Sequence, residues 1–170
     1  MERKMKLSRP AKIWMILSIA WMVAIFLFSA ESGDDSQELS WSVGGIIGQI
    51  FVPGFAGWSA AKQMAFVQMI DHAVRKCAHA TEYAVLGILY LGTLRRLPER
   101  EGSAMRHPAL TALVMAFLYA CTDEIHQIFV PDRGPGVKDV MIDTAGALAG
   151  IVIYLLVSRI AGAVRKKKQN

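Results

Sequence analysis

Residues 13–30 are the stretch that most narrows what this chain can become. They form an unbroken apolar run in which Ser18 and Ser29 are the only polar residues. About 18 residues of helix rise ~27 Å, close to the thickness of a bilayer's hydrocarbon core. A basic segment with Arg3, Lys4, Lys6, Arg9 and Lys12 precedes the run, as it would in a cleaved secretory leader. The run is long for a leader, however, and Phe28 stands where cleavage after Ala30 would require a small residue. A retained first membrane span is the expectation. Composition agrees: the 170 residues are 54% hydrophobic and only 19% charged, against about 25% charged in an ordinary soluble domain.

Three later runs, 77–94, 109–129 and 140–158, read as further spans. Between the first and second lies an acidic stretch, 31–42, expected as a loop carrying Glu31, Asp34, Asp35 and Glu38. Residues 43–58 are apolar but interrupted by Gly44, Gly45, Gly48, Pro53, Gly54 and Gly57. That segment is too short and too broken to cross a bilayer, which favours an interfacial or re-entrant segment. Trp41 and Trp58 at its ends suit the headgroup zone. Residues 59–75 have helical periodicity, with Phe66, Met69, Ile70, Ala73 and Val74 on one stripe and Gln68, Asp71, His72 and Arg75 on another face. The fold expected is an all-α membrane protein of one domain. It has four transmembrane helices and an extracytoplasmic amphipathic or re-entrant segment between helices 1 and 2.

The net charge is +5, and its distribution argues topology rather than nucleic acid. The N-terminal tail, the 95–108 loop and the C-terminal tail hold 14 of the 19 Lys and Arg, while the 31–72 loop is acidic. Basic loops stay in the cytoplasm, so both termini of a four-span chain are expected inside. No nucleic-acid partner is expected.

Against that topology the charges inside the spans fall at one level. Arg75, Lys76, His79 and Glu82 open the second span, Asp123, Glu124, His126 and Gln127 close the third, and Asp139 and Asp143 open the fourth. An ionised group in hydrocarbon costs roughly 2.5–3.5 kcal/mol on insertion scales, so such a segregation asks for a reason. Arg75, His79 and Glu82 share a helix face at i, i+4, i+7, and Asp123, His126 and Gln127 share another. Structural roles compete with functional ones: Arg75 and Lys76 as interface anchors, His79 with Glu82 as an interhelical bond, Asp139 as a helix-dipole acid. A water-accessible polar site explains the common level with fewer separate causes. Gly134, Pro135 and Gly136 are expected to shape the turn before the fourth span. Gly146 and Gly150 offer a strip where another helix can approach closely. Cys77 and Cys121 fit neither a disulfide framework nor a zinc ribbon, and both are expected as free thiols.

At these residues the chain resembles the VanZ-like family of bacterial membrane proteins. The motifs are Lys76, His79, Glu82-Tyr83 and Leu86-Gly87; then Thr122-Asp123-Glu124, His126-Gln127, Phe129-Val130-Pro131 and Arg133; then Asp139, Asp143, Gly146 and Gly150. Asp143 departs from a pattern in which Asn is frequent. The resemblance implies a small polytopic protein of the bacterial cytoplasmic (inner) membrane, in a family named after a member associated with resistance to the glycopeptide teicoplanin.

Two function classes follow. As an enzyme at the outer leaflet, the protein would act on a lipid or lipid-linked envelope precursor. His79, Glu82, Asp123, Glu124 and His126 would serve as acid and base groups or hold a divalent metal, although no known ligand motif such as HExxH is present. Lys76, Tyr83, Gln127, Arg133, Asp139 and Asp143 would contact the substrate, Lys76 and Arg133 holding an anionic head group. As a non-catalytic module, the same pocket would bind or move a lipid or glycopeptide. The bare cytoplasmic halves of the spans argue against a continuous transport path.

Overall fold

The computed structural model describes residues 7–97, 106–134 and 136–169. Most of the N-terminal basic tail, the middle of the 95–108 loop and Pro135 of the turn lie outside the described residues. The described chain is helical throughout: α1 (Arg9–Ser29), α2 (Gly33–Phe51), a 3-10 turn (Phe55–Gly57), α3 (Ala60–Leu94), α4 (Pro108–Gln127) and α5 (Val137–Gln169).

Helix α1 begins where Ser8 accepts a bond from the Ala11 amide, with Pro10 in the first turn, where its missing N–H is no loss. It buries only Ala11, Ser18, Ile25 and Ser29, a narrow seam, and leaves the other faces apolar and uncovered. Helices α4 and α5 behave alike: fewer than a third of the residues in each apolar window of α1, α4 and α5 are buried inside the protein. Ile16, Leu27, Leu110 and Ile160 are each at least 60% exposed. A surface this apolar is unfavourable in water, whereas lipid tails solvate it at no cost.

Among the described residues three helices are therefore long and apolar enough to cross a membrane, α1, α4 and α5, and not four. The expected second span, 77–94, is the second half of the 35-residue α3. The correction has a physical reason. Helix α3 packs against α1, α2, α4 and α5, so its neighbours are protein and it needs no lipid-soluble surface. It can therefore carry His79, Glu82, Tyr83, Tyr90 and Thr93 in place of an apolar run. The parity argument that put both termini on one side loses its footing with the fourth span.

Direction comes instead from contacts. Trp21 Nε1 donates to the Glu82 carbonyl at 2.9 Å and Ser18 Oγ lies 3.0 Å from Thr93 Oγ1, so α1 and α3 are antiparallel. The Tyr119 hydroxyl donates to the Met22 carbonyl at 2.6 Å and sets α4 parallel to α1. Helix α5 runs with α3, from an ion pair between Lys76 and Asp139 at one end to Arg96 and Tyr154 at the other. Trp14 and Tyr154 meet edge to face there, which brings the start of α1 and the middle of α5 to one end. The most extensive contact is α3 on α5. It depends on glycine: a Cβ on Gly146 or Gly150 would strike the carbonyls of Ala80 or Ala84, and one on Gly87 that of Ala147. The close-approach strip read from Gly146 and Gly150 is real.

The segment between the first two runs differs from expectation. The acidic stretch 31–42 is not a loop. Ser32 caps α2 by exchanging bonds with Asp35, and Asp34 and Asp35 sit in the first turn, where the helix dipole favours acids. The glycines of 43–58 do not break the helix before Phe51; Gly44 and Gly48 form its packing face, against Val67 and Phe55. This helix lies on the first half of α3 and divides the expected stripe: Phe66 and Ile70 pack inward, against Phe55 and Gly44, whereas Met69 and Ala73 face out. Val67 and Asp71 are buried, while Met69 is 72% exposed. Asp71 can be inside because Ser40 of α2 and Arg75 both donate to its carboxylate.

Candidate functional site

The polar residues gather at the end of the bundle where α1 and α4 finish and α5 begins. The turn there is held from three sides. The Gly33 amide donates to the Pro131 carbonyl at 3.1 Å. Arg133 donates from Nε to the Glu31 carbonyl and from a terminal nitrogen to the Phe28 carbonyl, each at 3.1 Å, closing the C-terminal end of α1. Glu124 accepts the Gly136 amide at 2.7 Å and so fixes the start of α5 against α4. The residue in the left-handed region is Asp132, at φ 58°, rather than a glycine of the 134–136 group. Asp tolerates that conformation because its short side chain can bond locally.

Within this frame lies a cavity of about 220 Å³. Helix α3 lines it with His72, Arg75, Lys76 and His79, α4 with Glu124 and Gln127, the turn with Asp132 and Arg133, and α5 with Asp139. Lys76 is paired with Asp139, and Arg75 with Asp71 at 2.8 Å. Arg133 differs: among the described residues no carboxylate stands within 4.0 Å of it, and its bonds go to neutral carbonyls. Burial pushes its pKa below the ordinary arginine value, and the nearby Arg75 cation adds to the shift. An arginine stays charged in a protein, so it brings to the cavity wall a positive charge with no direct ion-pair partner.

Beneath the wall is a layer of buried donors. Asp123 is 3% exposed and Asp143 is 1% exposed. Asp123 Oδ2 accepts from Ser29 Oγ at 2.8 Å and from Gln127 Nε2 at 3.3 Å. Its Oδ1, both oxygens of Asp143, the Tyr83 hydroxyl and His79 Nδ1 are buried with no hydrogen-bond partner. His79, Asp123 and Asp143 each offer one donor atom, and the three lie within 4.8 Å of one another. Glu82 is near but apart, its Oε2 being 3.8 Å from His79 Nδ1, beyond hydrogen-bond reach.

Most of the residues expected at the site therefore converge, in two tiers. Lys76, His79, Glu124, Gln127, Arg133 and Asp139 line the cavity, while Asp123, Asp143 and Tyr83 lie in the buried layer. His126 does neither. Its ring stacks on Phe26 of α1 at 4.4 Å, outside the cavity lining. The sequence reading missed Ser29, which carries Asp123, and Asp71 with Ser40, which hold Arg75. Ser29 had a visible signal, being one of two polar residues in an apolar run. Asp71 had none, because its burial depends on a helix packing beside it. Cys77 and Cys121 are free thiols, as expected.

Apolar helices with lipid-facing flanks, gathered around a polar inner helix, define an all-α multi-pass membrane protein. The chain belongs to the VanZ/LLP1 family: that family's profile matches residues 14–158, most of the chain, including every motif named above. Neither a curated protein nor a solved structure matches it.

Proposed function

We propose that the protein binds a lipid or lipid-linked envelope precursor at the extracytoplasmic end of its bundle, with the precursor's anionic head group in the cavity. The cavity carries the reading: Arg75, Lys76 and Arg133 meet over buried carboxylates, at the end of the bundle away from Arg95, Arg96 and the basic tail of α5. Basic residues favour the cytoplasmic side of a bacterial inner membrane, which leaves the cavity facing outward. Arg133 is the anchor for a phosphate, being charged, planar and without a direct ion-pair partner. His79 and Glu124 stand in the same wall as proton donor and acceptor, with Glu82, Asp123 and Asp143 behind them. The reading extends to a contribution to teicoplanin resistance through the precursor on which that glycopeptide acts.

A non-catalytic reading is favoured by a separate observation. His126, expected as an acid or base, stacks on Phe26 away from the cavity, which leaves one group fewer for bond-breaking while Arg133 stays in place for binding. Mass spectrometry of envelope lipids distinguishes the two, comparing cells lacking the protein with cells carrying it or its Arg133→Gln variant. A covalently altered precursor that returns only with the intact protein supports catalysis. An unchanged structure with altered leaflet distribution supports binding or transport. Identical lipids in identical leaflets in all three strains would reject both.

A further inference from the structure

Under the cavity floor, three helices each contribute one donor to a single point: His79 from α3, Asp123 from α4 and Asp143 from α5. Two carboxylates side by side in the protein interior repel each other and lose their hydration. Asp143 is 1% exposed and neither of its oxygens is hydrogen-bonded, and Asp123 Oδ1 is likewise bare. The fold satisfies the other oxygen of Asp123, with Ser29 and Gln127, and leaves Oδ1 free. The buried Nδ1 of the third member, His79, is without a partner too, and among the described residues no other carboxylate has a buried oxygen left without one.

We propose that His79, Asp123 and Asp143 bind one divalent transition cation of the Zn²⁺ or Mn²⁺ type. Two carboxylates match a charge of +2, and an imidazole beside them favours Zn²⁺ or Mn²⁺ over Ca²⁺ or Mg²⁺, which take oxygen ligands. Ligand atoms about 2.1 Å from a tetrahedral Zn²⁺ stand about 3.4 Å apart. The 4.8 Å envelope of the three donors contracts to that by side-chain rotation. Ser29 and Gln127 act as the outer layer that orients a ligating carboxylate, leaving Oδ1 of Asp123 for the metal. Three protein ligands leave a coordination position open, and His79 also lines the cavity, so the open position is on the cavity side. The site does not depend on which molecule occupies the cavity.

The test uses the full chain in lipid nanodiscs, stripped with a chelator and titrated separately with Zn²⁺ and Mn²⁺. One equivalent per chain is expected after desalting, measured by elemental analysis, together with a rise in Tm. Bound Mn²⁺ should show nitrogen coupling from His79 in pulsed electron paramagnetic resonance. His79→Ala, Asp123→Asn and Asp143→Asn should each weaken binding tenfold or more, whereas Asp34→Asn, an exposed acid on α2, should not. Retention on size exclusion shows which variants fold, and the nitrogen coupling of the intact chain stands without any variant. Absence of a stoichiometric cation in the intact chain, or Asp143→Asn binding as the parent does, would overturn the proposal.

Discussion

Ser29, the last residue of α1, donates its hydroxyl to Asp123 Oδ2 of α4 at 2.8 Å, in the protein interior. One small polar residue at the end of a membrane helix thus sets the orientation of a carboxylate 94 positions away. Ser29→Ala should destabilise the bundle by about 1–3 kcal/mol, the usual cost of leaving a buried polar group short of a partner. Thermal unfolding in detergent reads this, and an unchanged Tm would mean that Gln127 alone satisfies that oxygen.

The α3–α5 contact predicts a sharp contrast among glycines. Gly150→Ala puts a methyl group into the Ala84 carbonyl, whereas Gly45→Ala meets nothing within 4 Å. The first should lower folded yield and Tm substantially, since over-packing costs typically about 1–3 kcal/mol. The second should be neutral or slightly stabilising, because alanine is the better helix former. Equal behaviour of the two would contradict the close helix approach.

The pair of Lys76 and Asp139 ties the middle of α3 to the first turn of α5. Removing one partner strands a partly buried charge and should cost up to about 3–5 kcal/mol. Lys76→Met combined with Asp139→Leu should recover most of that loss, because apolar residues of similar size pack well in such places. Double-mutant analysis of unfolding gives the coupling; additive losses would show that the pair is a contact of convenience.

Arg133 holds two carbonyls from α1 and the turn after it. Arg133→Lys keeps the charge but cannot reproduce the planar fork, so it should lower Tm while retaining affinity for an anionic lipid. Arg133→Gln should lose both. Lipid binding measured beside Tm separates the two functions, and equal affinity of Gln and Lys variants would remove Arg133 from the head-group site.

Sidedness is open to chemical labelling. In a chain with Cys77 and Cys121 replaced by serine, Gly134→Cys on the exposed turn should react with a membrane-impermeant maleimide added to intact cells. Arg165→Cys on the basic end of α5 should react only after the membrane is opened. The reverse pattern would place the cavity on the cytoplasmic side.

Much of this protein was legible from local pattern. The lipid-facing character of 13–30, 109–129 and 140–158 is a property of composition over one helix length, and the structure's α1, α4 and α5 contain nearly all of each run. The common level of His79, Asp123, Asp143 and Arg133 also showed in the residue order, because alternating helices return to the same end. Even the Gly146–Gly150 strip could be read, since only close packing explains small residues one turn apart.

The tertiary structure decided what depends on neighbours. Hydropathy assumes that a buried helix faces lipid; α3 faces four other helices, so its polar residues are solvated by protein and it is not a fourth lipid span. Burial of Asp71 and exposure of Met69 follow from where α2 lies, which no periodicity within 59–75 can report. Nor does spacing distinguish a stacked His126 from a convergent His79. A helix face is set by sequence, but which face meets a partner, and which carboxylate goes without one, is set by the packing of all the helices together.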